Sequence, residues 1–194
     1  MNKEFKLYQT ILKKDLINKK IYKKNSHLPN LVSITLHFGS KTQEMKILAR
    51  SSLIIELITG VKSKIVLSKK QNMSLNTKKG VASGCLVKLT KMKMTNFYMY
   101  LTQEVLPKSK KISQDFYKDG EKSITLYVPS SELNCFEEID FNSNYLKGCG
   151  GLEISFLFDR PATEEEQKLI LALTNAWQSL SLYNSIGRVQ PCQG

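Results

Sequence analysis

The hydrophobic positions change period several times along the chain, and each change marks an element. Phe5, Tyr8, Leu12 and Leu16 recur at three- and four-residue steps. They predict an amphipathic helix over residues 3–20, with Lys13, Lys14, Lys19 and Lys20 on its outer surface and end. After the break at Pro29, Val32, Ile34, Leu36 and Phe38 alternate with Ser33, Thr35 and His37. A period of two predicts a half-buried strand with a polar, uncharged second face, stopped at Gly39. Met45, Leu48, Ala49, Ser52 and Ile55 restore helical spacing over 42–58, and Gly60 is placed to end that helix in the left-handed conformation. A short strand is expected at Ile65 to Leu67.

From Ser68 to Gly84 the period disappears, and SKKQNMSLNTKKGVASG predicts a long basic loop. Cys85, Val87 and Leu89 then point inward on a strand, with Leu86, Lys88 and Thr90 outward. Met94, Phe97, Tyr98, Leu101 and Val105 define a helix that Pro107 is expected to end. Residues 108–120 read as a loop. Ile124, Leu126 and Val128 alternate up to Pro129, and Leu152, Ile154, Phe156 and Phe158 up to Pro161. Thr163 and Glu166 have capping-box spacing for a last helix whose core face is Leu169, Ile170, Leu173, Ala176 and Trp177. Helices and strands mix without strict βαβ alternation, so the fold class is α+β: a mainly antiparallel sheet with helices packed on one face. A single domain over 1–178, including an N-terminal helix within 1–24 and the loop 68–84, is expected to precede a tail at 179–194.

Charge sharpens this picture. Of 194 residues, 29 are basic and 17 acidic, for a net charge of +12. The halves differ: 23 basic and 5 acidic residues lie in 1–111, against 6 and 12 in 112–194. Between Glu56 and Glu104 there is no carboxylate, yet the stretch holds Lys62, Lys64, Lys69, Lys70, Lys78, Lys79, Lys88, Lys91 and Lys93. A solvated lysine face normally carries interspersed acids, so a polyanionic partner explains the stretch better. Six engaged lysines would give a log-log salt slope of roughly −5 on duplex, at about −0.9 per neutralised phosphate.

Little else in the chain carries chemistry. No run of 18 apolar residues exists, so no membrane span is expected, and the first twenty residues are too polar for a signal peptide's apolar stretch. Cys85, Cys135, Cys149 and Cys192 lack paired ligand spacing and read as free thiols in a reducing compartment. His27 and His37 have no ligand set nearby in sequence. Glu137, Glu138 and Asp140 are the one acidic cluster, and they support an alternative reading as a metal-dependent RNA-processing enzyme. A surface turn is the simpler reading. GCGG at 148–151 precedes a strand instead of opening a helix, and so fails the context test for a phosphate-cradling loop. No catalytic residue, metal site or cofactor is assigned. A nonspecific nucleic-acid chaperone is a further alternative.

Five segments in order, PNLVSITLHFG (29–39), ITGVKSKI (58–65), KKGVASGCLVKL (78–89), FEEIDF (136–141) and GLEISF (151–156), resemble the bacterial-type large-subunit ribosomal protein five family. The resemblance spans about residues 5–177. It implies an architectural protein of the central protuberance that binds 5S rRNA and adjacent large-subunit rRNA. It also implies that the lysine-rich loop reaches P-site tRNA, and that another edge bridges to a small-subunit head protein. The implied rRNA-binding residues are Lys23, Lys24, Ser33, Thr35, His37, Lys62, Lys64 and Lys88. For tRNA they are Asn76, Lys78, Lys79 and Gly80. The sequence departs from the family pattern at His37, Val61 and Lys64, where His37 and Lys64 keep the capacity to donate to RNA. The lysine excess over arginine, 26 to 3, suggests AT-rich coding and a mitochondrial ribosome, with an AT-rich bacterium or plastid as the alternative.

Overall fold

The computed structural model describes residues 10, 13–14, 17–18, 29–39, 44–71, 78–108, 122–139 and 149–161. Within them the alternating segments form five strands: β1 (Leu31–Gly39), β2 (Lys64–Leu67), β3 (Ala82–Leu89), β4 (Ser123–Val128) and β5 (Leu152–Phe158). They lie in the order β2-β3-β1-β5-β4, every neighbouring pair antiparallel. Two helices cover one face: α1 (Met45–Thr59) and the helical run 91–108, here α2. The fold is therefore α+β with an antiparallel sheet, as the sequence pattern predicts.

The core lies between that face and the helices. Ile34, Leu36, Phe38, Cys85, Val87, Leu89, Ile124, Leu126, Ile154 and Phe156 point into it from the strands. Leu48, Ile54, Ile55 and Ile58 enter from α1, and Met94, Phe97, Tyr98, Leu101 and Val105 from α2. Tyr98 meets Phe156 edge to face, with ring centroids 6.2 Å apart at 85°. Burying each large aliphatic or aromatic side chain contributes about 1.5–3 kcal/mol, which fixes the face the sheet presents to the helices.

α1 ends where Gly60 adopts φ +61° and donates its N–H to Glu56 O. The Glu56 carboxylate then takes the Ser63 N–H at 2.9 Å and its hydroxyl at 3.2 Å, tying the chain reversal into β2. The Ser63 amide is the main reason that the Glu56 pKa lies below its ordinary value.

Three expectations need correction. Val32 does not alternate inward with Ile34: the β1–β5 register shifts between Leu31 and Ser33, and this bulge turns Val32 outward to 47% exposure. The basic loop is shorter than 68–84, because Ala82–Gly84 belong to β3, where Ala82 pairs with Leu67 and Gly84 with Val66. Ser68 N–H to Val81 O and Gly80 N–H to Ser68 O carry the pairing further toward the turn. Residues 72–77 at its centre lie outside the described residues.

Pro107 does not end α2 before itself; it sits in the last turn, Leu106–Lys108. The turn before it, Leu101–Val105, is a π-helix, in which Leu106 N–H reaches back five residues to Leu101 O. That wider turn accommodates a residue with no N–H to donate.

In the segment of the predicted N-terminal helix, Thr10, Lys13, Lys14, Ile17 and Asn18 are helical. Its remaining residues, the 163–177 helix and the tail lie outside the described residues. Cys85, Cys135 and Cys149 are free thiols, and Cys192 is not among the described residues. No helix among the described residues is long and apolar enough to cross a membrane.

Candidate nucleic-acid interface

Among the described residues both helices lie on one side of the sheet, so its other face is formed by the outward residues of the strands, and the register aligns these in rows. Lys88, Thr35, Ser155 and Thr125 form one row across β3, β1, β5 and β4. Lys64, Leu86, His37, Glu153 and Tyr127 form the next, across all five strands. At ~4.8 Å between strands, the longer row spans about 19 Å, broad enough to lie along a shallow RNA minor groove.

The rows are polar with few charges. Thr125 Oγ1 and Ser155 Oγ are 3.0 Å apart, and each hydroxyl keeps capacity toward a ligand. The His37 Nδ1 lies 3.2 Å from Glu153 Oε2, and the side chains of the two are 32% and 50% exposed. The His37 ring leans over Gly84: a Cβ at residue 84 would lie 3.0 Å from its Nε2 and 2.3 Å from Phe38 O. Tyr127 is likewise seated over Gly151, where a Cβ would meet its ring at 2.3 Å. These two glycines allow the flat imidazole and phenol to lie close to the backbone.

The predicted rRNA residues divide on this geometry. Thr35, His37, Lys64 and Lys88 share the open face. Lys62 is exposed just before β2. Ser33 follows the same alternation but is fully buried, and its Oγ has no hydrogen-bond partner, so it presents nothing to a ligand in this conformation. Lys23 and Lys24 lie outside the described residues. Of the predicted tRNA residues, Lys78, Lys79 and Gly80 are exposed at the turn back into β3, where Gly80 has φ +84°; Asn76 lies outside the described residues.

Ser155, Thr125, Glu153 and Tyr127 were not among the predicted site residues, although the same period of two marks them in SITLYV and LEISFLF. The apolar residues of those strands carry the stronger signal, and they mark only the inward halves.

All nine lysines from Lys62 to Lys93 are exposed. Among the described residues none of the nine is held in an ion pair. The acidic cluster is engaged elsewhere: Lys108 Nζ donates to Glu137 Oε1, and Tyr100 OH donates to Glu138 Oε2 at 2.5 Å. Burial, with that hydrogen bond, pushes the Tyr100 hydroxyl pKa up. These two carboxylates therefore tether the end of α2 to the segment after β4. Asp140 lies outside the described residues, and no group of three metal-ligating side chains occurs among the described residues.

No family profile matches the chain. Among curated proteins, it is 30% identical over 168 residues to large ribosomal subunit protein uL5c of Gracilaria tenuistipitata var. liui, covering 84% of the chain and 92% of that protein. It is 31% identical over 170 residues to uL5 of Chlorobium luteolum, covering 86% and 85%. With uL5m of Reclinomonas americana the identity is 30% over 142 residues, covering 72% and 78%. These relatives are structural rather than enzymatic proteins of the large ribosomal subunit, and the chain has a structural role in the ribosome. The extent of this similarity shows that the chain belongs to the uL5 family of large ribosomal subunit proteins.

Proposed function

We propose that the open sheet face binds 5S rRNA and adjacent large-subunit rRNA in the central protuberance, and that the turn bearing Lys78, Lys79 and Gly80 contacts P-site tRNA. The observation that carries this reading is the pairing of two surfaces: nine exposed lysines, none held in an ion pair among the described residues, beside a sheet face rich in hydroxyls. The lysines attract phosphate regardless of sequence. Thr35, Thr125, Ser155 and His37 add hydrogen bonds to 2′-hydroxyls and base edges, and Tyr127 offers a ring on which a base stacks. Contact with a small-subunit head protein at another edge belongs to the same reading, as does residence in a mitochondrial ribosome. The mitochondrial relative from Reclinomonas americana supports the latter.

Filter retention across a salt series tests the platform. 5S rRNA is expected to bind more tightly than unrelated RNA of equal length at every salt concentration, and equal retention rejects the reading in favour of a nonspecific chaperone. The turn is tested by the double variant Lys78→Ala with Lys79→Ala. It should weaken tRNA contact in reassembled subunits while 5S binding changes little; equal loss of both would mean that the turn is no separate tRNA reader.

A further inference from the structure

The longer row of the open face holds two rings, His37 and Tyr127, and the row beside it is bare backbone. The β1–β3 register sets Gly39 opposite Gly84. The β1–β5 register, continued one residue beyond Phe38 and Leu152, brings Gly151 to the other side of Gly39. Three neighbouring outward positions thus carry no side chain. His37 reaches over two of them: a Cβ at Gly84 would lie 3.0 Å from its Nε2, and one at Gly39 would lie 3.7 Å from its Cε1. Tyr127 reaches over the third, where a Cβ at Gly151 would overlap its Cζ and hydroxyl oxygen, each at 2.3 Å. Side chains at 84 and 151 would push both rings off the sheet, so glycine there lets them lie against it.

Each ring turns one side to the backbone and keeps part of its surface open. Tyr127 is 36% exposed, and the His37 side chain 32%. Among the described residues neither is stacked on another aromatic side chain. β4 lies two strands from β1, about 10 Å away at ~4.8 Å per strand, and Glu153 stands between the two rings.

We propose that His37 and Tyr127 are shelves for two unpaired nucleobases, one on each ring, so that this part of the face takes a single-stranded loop of the bound RNA. The proposal rests on the rRNA reading above and deepens it by naming the form of RNA that is held. Bases inside a helix stack on one another and show the grooves only their edges, which leaves a ring lying along the sheet no base face to meet. An unpaired base can turn its face down onto such a ring, and any base can do so, since each has a π-face. The separation of the rings gives each its own base. Lys64 and Lys88 lie in the same two rows and attract the connecting phosphates, while Thr35, Ser155 and Thr125 are left for the sugars.

Two measurements on the intact chain test this. In the first, a labelled RNA of about ten nucleotides is titrated by fluorescence anisotropy, either single-stranded or annealed to its complement. Tyr127→Ala, and His37→Asn, which removes the ring but keeps a hydrogen-bond donor, should each weaken the single strand about fivefold or more and the duplex less than about twofold. Tyr127→Phe keeps the ring without the hydroxyl and should hold the single strand within about twofold of the native chain. Equal loss for both RNAs, no loss for either, or a loss in Tyr127→Phe as large as in Tyr127→Ala overturns the inference.

The second measurement uses the native chain, so it does not depend on how the variants fold. A single strand carrying 2-aminopurine should lose fluorescence on binding, as the base stacks on a ring; unchanged fluorescence at saturation overturns the inference. The rRNA reading fails separately. A preference for 5S rRNA over unrelated RNA without these ring effects rejects the shelves alone, whereas loss of that preference rejects the reading on which they rest.

Discussion

His37 and Glu153 face each other across the β1–β5 pair, with Nδ1 and Oε2 3.2 Å apart, and Glu153 is the one carboxylate in the two rows of the open sheet face. On the proposed rRNA-binding face it would compete with RNA phosphate for the imidazole and lower the local positive potential. Glu153→Gln should therefore tighten 5S rRNA binding about two- to fivefold at low salt, the scale of an exposed charge pair of ~0.5–1 kcal/mol. Filter binding at two ionic strengths checks this; weaker binding would mean that Glu153 orients His37 for its ligand instead of shielding it.

Gly84 and Gly80 are expected to respond very differently to alanine. At Gly84 a methyl group would lie 2.3 Å from the Phe38 carbonyl oxygen, so β1 and β3 must separate. Gly84→Ala should cost about 2–3 kcal/mol, read from the urea midpoint. Gly80 has φ +84° and open space around it, so Gly80→Ala should cost only about 1 kcal/mol, from backbone strain. Equal costs would contradict the close approach at Gly84.

Ser33 and Thr35 separate burial from recognition. Removing the partnerless hydroxyl of Ser33 should leave stability unchanged or raised by up to about 1 kcal/mol, with 5S rRNA affinity unaltered. Thr35→Ala, on the open row beside Lys88 and Ser155, should weaken that affinity several-fold without loss of stability. A large binding defect in Ser33→Ala would show that the strand uncovers this residue when RNA binds.

Glu56 should make stability depend on acid. The Ser63 amide holds its folded pKa below the ordinary 4.5, so the unfolded chain takes up the proton first as pH falls. The carboxylate's contribution is therefore complete above about pH 4.5 and is lost as pH falls through the folded pKa. Urea midpoints measured between neutral pH and pH 3 should fall more steeply for the native chain than for Glu56→Gln. Parallel curves would show that the chain reversal before β2 does not depend on this carboxylate.

Strand and helix identities were legible because burial imposes period two on residues 34–38 and period 3.6 on 45–58, and apolar side chains report both directly. The lysine face was legible for a different reason: a run without carboxylates is a statement about composition that folding cannot rearrange. What stayed hidden depended on pairing between distant segments. Val32 turns outward through a bulge created by register with β5, and Ala82–Gly84 join a ladder only because Val66 and Leu67 lie opposite them. The two rows of the open face were half legible. Thr35 and His37 stand in an obvious alternation, whereas Ser155 and Thr125 reach the same surface from residues 120 and 90 positions further along the chain. Burial of Ser33 had no sequence signal, since its period assigns it to the outer face.

Among the described residues, placing the hydrophobic core on one side of the sheet separates two kinds of evolutionary constraint. Substitutions at Thr35, His37, Lys64 or Lys88 change the polar surface proposed to meet RNA but remove little apolar burial, whereas truncations at Leu36 or Phe156 open a void. A lineage whose ribosomal RNA is changing can thus revise its protein's contacts one at a time, and a chain that keeps about 30% of its relatives' residues can retain their architecture.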